Sequence, residues 1–234
     1  MDCKTKTGEQ INVVAIDGPA GSGKSTVAKQ LAKRLNYLYL DTGAMYRALT
    51  FKTMQKGFDL NDKPALVKLA KGLDLELKMN QDALKVTLDG KDITNDIRQQ
   101  SVTEKVHFVA KNKAVRAEMV KLQRKLAGQT KGAVLEGRDI GTVVFPGAKR
   151  KFYLDAQISE RVKRRFKELQ AMGQKVKLDE IARDIEERDQ SDMTREVAPL
   201  VRAKDAVYVD TTDLSIEAVV ERLYQECFTG LSAR

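Results

Sequence analysis

The sequence predicts an α/β protein built on a doubly wound, five-stranded parallel sheet. Three observations carry that prediction. A glycine loop of phosphate-binding type stands between a short apolar strand and a helix. Further short apolar strands recur between amphipathic helices. One internal segment switches to strict alternation of apolar and polar residues, the mark of an antiparallel insertion. At 234 residues the chain can bury a proper core, and it reads as one domain with insertions.

Taken in order, Met1–Gln10 is polar and lacks an apolar h-region, so it reads as a mobile tail, with the domain running over 11–234. Ile11-Asn12-Val13-Val14-Ala15-Ile16 reads as the first buried strand. Gly18-Pro19-Ala20-Gly21-Ser22-Gly23-Lys24-Ser25 then meets G-x-x-x-x-G-K-[ST] at every fixed position, with Thr26 next. The stretch from Lys24 to Leu35 reads as the helix behind it. Strand, loop and helix form an anion cradle: loop N–H groups point inward and the helix N-terminus adds its positive end. Lys24 can reach the β- and γ-phosphates of a nucleoside triphosphate, and the Ser25 hydroxyl can ligate Mg²⁺.

Tyr37-Leu38-Tyr39-Leu40, Ala133-Val134-Leu135, Lys151-Phe152-Tyr153-Leu154 and Ala206-Val207-Tyr208-Val209 complete five strands. Each is nearly continuous in apolar character, as parallel strands covered on both faces must be. Helical spacing is clear in Val115, Met119, Leu122 and Leu126, with Asn112 as N-cap. It recurs in Ile216, Val219, Val220 and Leu223, with Ser215 as cap. Ligands of such a fold sit at the carboxyl ends of the strands. The break in the plan lies between about Leu60 and Arg98. Leu73, Leu75, Leu77 and Met79 alternate with polar residues, and after Asn80-Gln81-Asp82 the alternation resumes at Leu84, Val86 and Leu88, before an Asp89-Gly90 turn. An insertion there serves either as a substrate flap or as structural decoration.

Lys and Arg number 42 against 33 Asp and Glu, a formal charge of +9. That balance suits polyanionic partners: nucleotides, nucleic acid or an anionic membrane. Cys3 and Cys227 stand near opposite ends without metal-like spacing, and with a single His they argue against structural zinc and for a reduced, cytoplasmic setting. No uninterrupted apolar run is long enough to span a membrane.

The strand ends carry the specific chemistry. Asp41-Thr42-Gly43-Ala44-Met45-Tyr46-Arg47 follows the second strand and Gly137-Arg138-Asp139-Ile140-Gly141-Thr142 the third. In Glu187-Arg188-Asp189-Gln190-Ser191-Asp192-Met193-Thr194-Arg195, Arg188, Asp192 and Arg195 are spaced to share one face of a continuous helix. Such a face holds a phosphate with two guanidinium forks and a ribose hydroxyl with the carboxylate.

These motifs resemble the bacterial cytidylate kinase family over nearly the whole chain. IDGPAGSGKST is shared by many phosphotransferases. LDTGAMYRALT, GRDIGTVVFP, the ERD-x-x-D-x-x-R block with VAPL after it, and VDTTDLSIEAVV are more specific. The resemblance implies transfer of the γ-phosphoryl group of Mg·ATP to CMP or dCMP in pyrimidine metabolism. It also implies a nucleoside-monophosphate-binding insertion at about 60–98 and a short helical lid at about 156–175. ATP would be held by Gly18, Pro19, Ala20, Gly21, Ser22, Gly23, Lys24, Ser25 and Thr26, with Mg²⁺ on Ser25.

By the same resemblance, Thr42, Arg47, Arg116, Arg138, Asp139, Arg188, Asp192 and Arg195 are the acceptor residues. Arg47, Arg138 and Arg195 would take the CMP phosphate, Arg188 and Asp192 the ribose. Asp139 and Arg116 would face cytosine, whose amine is a donor and whose O2 and N3 are acceptors. His107 stands where the family is expected to carry a base-contacting serine; it either meets the base or packs on its helix. Lys24, Arg138, Arg195 and Arg164 are the catalytic candidates. Arg164 lies in Ser159-Glu160-Arg161-Val162-Lys163-Arg164-Arg165-Phe166, which resembles the family's lid; Ser159 is its expected cap and Gly173 its expected end.

No Walker-B aspartate is evident, and Glu136 and Asp41 could each orient metal-bound water. Two rival readings stand beside this one: a kinase of the same fold with another acceptor, and a nucleic-acid-dependent ATPase. The second sits poorly with arginines tied to motif positions and with aromatic residues at only 6%. The expected partners are therefore ATP, CMP and dCMP, with no nucleic acid or membrane, and a monomer.

Overall fold

The computed structural model describes residues 11–81, 83–171 and 173–228. The expected tail, Cys3 and Asp82 lie outside the described residues. In chain order the elements are β1 (Asn12–Asp17), α1 (Lys24–Leu35), β2 (Leu38–Asp41), α2 (Thr42–Gln55), α3 (Lys63–Lys71), β3 (Leu75–Asn80), β4 (Ala83–Leu88) and β5 (Lys91–Asp92). A 3₁₀ turn (Asp96–Arg98) leads to α4 (Gln100–Ala110), α5 (Lys113–Ala127) and β6 (Gly132–Gly137). A π turn (Ile140–Val144) leads to β7 (Arg150–Asp155), α6 (Ile158–Ala171), α7 (Leu178–Thr194), β8 (Val207–Asp210) and α8 (Ile216–Phe228).

The five-stranded parallel sheet has the order β2-β6-β1-β7-β8. Asn12 to Asp17 run beside Gly132 to Gly137, and Phe152 to Asp155 beside Val207 to Asp210. β6 is buried at every position and β1 at all but Asn12, which is why both sequences read as unbroken apolar runs. A separate antiparallel sheet has the order β3-β4-β5, with Leu75 opposite Leu88.

The described residues divide into two compact units: the chain up to Tyr39 together with Ala127 onward, and Leu40–Leu126. In the first unit α1 packs on α8 and α6 on α7. In the second, α2 packs on α3, α4 and the 3₁₀ turn, and the expected insertion range lies wholly within it.

The caps explain the helix limits. Asn112 Oδ1 accepts from Ala114 N and Val115 N at the head of α5, and Ser215 Oγ accepts from Ala218 N at α8, both as expected. Ser159 is not the cap of α6. The helix begins at Ile158, with Glu160 N and Arg161 N both donating to Gln157 O, so Ser159 lies inside the first turn. Gly173 does end it: at φ 74° it donates to Gln170 O while Gln174 N reaches Leu169 O, a Schellman closure that favours glycine.

Two further expectations change. The segment from Leu60 opens with helix α3, capped by Asp62, so the alternating strands occupy only its later part. Leu73, Leu75 and Leu77 are buried, but Met79 is exposed, because β3 outruns its core cover. The Asp89-Gly90 turn has both residues at positive φ, 49° and 77°, as a tight hairpin requires.

Candidate active site

In the first unit, strand β1 delivers the glycine loop. Gly18, Gly21 and Gly23 all have positive φ, and a Cβ on Gly18 would come within 2.0 Å of Leu154 O, so the loop threads where no side chain fits. Lys24 is buried and folded back on the loop: Nζ donates to Pro19 O (2.5 Å) and Ser22 Oγ (3.2 Å). Burial, with Arg138 and Arg188 nearby, pulls its pKa down to about 7 against the pull of Glu136 and Asp189. The ammonium sits in a cationic, desolvated setting that a polyphosphate would relieve.

Ser25 Oγ donates to Glu136 Oε1 at 2.5 Å, and Tyr39 Oη lies 3.4 Å from the same oxygen. Glu136 at the end of β6 is therefore the carboxylate that reaches Ser25. A hydroxyl and a carboxylate are hard oxygen donors of the kind Mg²⁺ takes while keeping water and phosphate ligands. Among the described residues no cluster of three or more His, Cys, Asp or Glu could hold a metal.

Arg138, at the start of the bend after β6, donates through Nε to Asp192 Oδ2 (2.7 Å). Asp192 also accepts from Arg195 Nη1 (3.2 Å), and Arg195 Nη2 stands 3.7 Å from Asp139 Oδ1. Burial alone would raise the Asp192 pKa, but Arg138, Arg188 and Arg195 hold it below the usual carboxylate range. Burial works against the Arg138 charge and Asp192 outweighs it. Arg195 does not lie on a continuous helix with Arg188 and Asp192. It follows the last residue of α7 in extended conformation, φ −61° and ψ 138°, and it returns to the cluster because Nε donates to Ala198 O (2.6 Å). Ala198 itself has φ 53°.

Arg164 is turned onto the loop after β8: Nη1 donates to Thr211 Oγ1 (2.9 Å) and Nη2 to Thr211 O (2.6 Å). Thr211 Oγ1 lies 2.9 Å from Asp155 O and 3.2 Å from Ser22 O, so one threonine sets Arg164 beside the glycine loop.

Three residues hold structural roles that the sequence reading did not assign to them. Asp17 closes β1 with its carboxylate accepting from Ile140 N and Gly141 N, 2.8 Å each, which sets the bend that carries Asp139. Burial is the largest influence on Asp17, and its pKa is pushed up to about 6. Asp189 and Arg161, both buried, pair with each other and with the backbone of Ala20. Arg161 belongs to the expected lid segment and Asp189 to the ERD block, but neither motif says that the two pair with each other.

In the second unit, Asp41 caps α2 through Ala44 N (2.7 Å) and pairs with Arg47 Nη2 (3.2 Å). Thr42 is buried in the first turn. Arg47 Nε is buried without a hydrogen-bond partner among the described residues. Arg116 is buried, donates to Ala110 O (3.1 Å) and lies 5.4 Å over the Tyr46 ring. His107 is exposed on α4, its ring 4.0 Å from that of Phe108.

The cytidylate kinase family model matches residues 14–228. Cytidylate kinase of Geobacillus sp. (strain WCH70) is 51% identical over 212 residues, covering 91% of this chain and 94% of that one. Cytidylate kinase of Enterococcus faecalis (strain ATCC 700802 / V583) is 50% identical over 207 residues, covering 88% and 91%. Among solved structures, an uncharacterized protein from Eubacterium ventriosum ATCC 27560 aligns with a TM-score of 0.50 at 13% identity, over 94% of this chain and 99% of that one, a likeness of fold alone.

Proposed function

This chain belongs to the cytidylate kinase family, and from that premise we propose how its residues move the γ-phosphoryl group of ATP to CMP or dCMP. The observation that carries the reading is the glycine loop with Lys24 folded into it, in electrostatic reach of Arg138 and Arg188. The lysine suits a phosphoryl donor; Arg138 and Arg195, joined through Asp192, suit an anionic acceptor. The buried Nε of Arg47, without a hydrogen-bond partner among the described residues, suits an anionic phosphate oxygen.

The attacking atom is an acceptor phosphate oxygen. It is already largely ionised at neutral pH, so no strong general base is needed. Its bond to the γ-phosphorus forms as the bond from that phosphorus to the β,γ-bridging oxygen breaks, leaving CDP or dCDP and ADP. Catalysis is then positioning and charge neutralisation. Lys24 turns from Pro19 O toward the β- and γ-phosphates. Ser25 and Glu136 would hold Mg²⁺, which supplies charge neutralisation on the phosphate oxygens. Arg138 and Arg195 bind the acceptor phosphate and the transferring group. Arg164 joins them by exchanging Thr211 for phosphate. Arg188 and Asp192 take the ribose, while Asp139 and Arg116 read cytosine. His107, exposed beside Phe108, is the remaining candidate for contact with the base. A cytoplasmic monomer acting on free nucleotides completes the reading.

A coupled assay across CMP, dCMP, UMP, AMP and GMP tests it. CMP should exceed AMP and GMP in kcat/KM by at least about tenfold, roughly 1.4 kcal/mol of discrimination. A purine preference would overturn the cytidylate assignment.

A further inference from the structure

We infer that Asp189 and Arg161 are positioning residues that clasp the phosphate loop at Ala20 and hold it in its binding shape; the inference rests on the phosphotransferase reading above. The N–H, the carbonyl and the side chain of Ala20 are all held. Its N–H donates to Asp189 Oδ1 (3.0 Å) and its carbonyl accepts from Arg161 Nη1 (2.9 Å). Arg161 Nη1 also pairs with Asp189 Oδ2, and Arg161 Nε donates to Ala156 O (3.0 Å). The Ala20 side chain is buried among Val162, Leu169, Ile181 and Ile185 of α6 and α7. Beside it, a Cβ on Gly21 would lie 3.0 Å from Arg161 Cβ and 3.1 Å from Arg161 O, so the loop backbone rests on the first turn of α6.

The clasp answers a physical problem. Glycine at three positions lets the loop turn its N–H groups inward, but it also leaves the free loop many conformations to lose on binding. Pinning both polar groups of one central residue removes much of that freedom beforehand. Because the Ala20 N–H is already given to a carboxylate, Ala20 is the anchor, and the N–H groups that follow it are the cradle. The carboxylate and guanidinium satisfy each other while buried, which leaves no uncompensated charge in the apolar cluster. Asp189 also sits on the helix that carries Arg188 and Asp192, so one rigid rod holds the donor loop and the acceptor array in fixed relation.

The test measures ATP binding directly by calorimetry, without an acceptor, together with the melting temperature and both KM values. In Asp189→Leu/Arg161→Met the buried pair becomes apolar and the two bonds to Ala20 are gone. The expected result is a melting temperature near that of the unaltered protein, ATP affinity weaker by about tenfold, and KM for CMP at saturating ATP within about twofold. Arg161→Lys keeps the charge but not the forked geometry, and should weaken ATP binding by at least about threefold; it decides the matter if the double variant fails to fold. ATP affinity within about twofold of the unaltered protein in whichever variant decides would mean that the pair only stabilises the fold, and would overturn the inference. An unaltered protein that binds ATP yet leaves CMP untouched would refute the acceptor reading while leaving this test intact.

Discussion

ATP binding should draw a proton onto Lys24. Without nucleotide, burial and the neighbouring Arg138 and Arg188 bring its pKa down from 10.5 to about 7, a shift equivalent to roughly 5 kcal/mol in favour of the neutral amine. Polyphosphate oxygens reverse that balance and return the group to its charged form. Above the unliganded pKa most of the amine is neutral, so binding at pH 8 should take up a large fraction of a proton per ATP at Lys24, and that uptake should shrink as pH falls below 7. Isothermal titration calorimetry in phosphate and in Tris, buffers of very different ionisation enthalpy, reads this uptake directly. Lys24→Ala should lose the uptake and the phosphoryl transfer together while keeping the fold. Uptake at pH 8 below about 0.2 proton, or unchanged in Lys24→Ala, would refute the reasoning. The same linkage has a signed consequence for stability. Between about pH 7 and 10.5 the unfolded chain binds more protons at Lys24 than the folded protein does, so this residue makes stability rise with pH across that window.

Two further outcomes are expected. Asp139→Ala should lower the CMP/UMP ratio of kcat/KM by about tenfold, since CMP loses a charge-assisted partner for its amine while UMP loses a repulsive carboxylate; equal damage to both would mean that Asp139 serves only to hold Arg195, 3.7 Å away. Gly18→Ala should destabilise the protein by about 3 kcal/mol in urea unfolding, because its Cβ would meet Leu154 O at 2.0 Å and φ is 151°; a change under about 0.5 kcal/mol would show that the loop is free to move.

What was legible in the chain was local. The glycine loop, the five apolar strands, the caps at Asn112 and Ser215 and the Asp89-Gly90 turn all depend on neighbours within a few residues, so pattern and residue type expose them. Where local rules compete, the reading slipped. Ser159 is a good cap by type, yet Gln157 O takes the first bonds of α6. Arg188, Asp192 and Arg195 have helical spacing, yet α7 stops at Thr194 and the Ala198 carbonyl holds Arg195 instead.

The sequence by itself determined the sheet, the phosphate loop and the set of charged residues from which a site is made, because side-chain period and glycine conformational freedom are encoded in short stretches. Only the tertiary structure decided which charges meet. Ser25 finds Glu136 across 111 positions and Ala20 finds Asp189 across 169. A buried carboxylate and a surface one look alike in a string of letters. They part only when folding removes water from one of them and leaves it a guanidinium or a backbone N–H as its remaining partner.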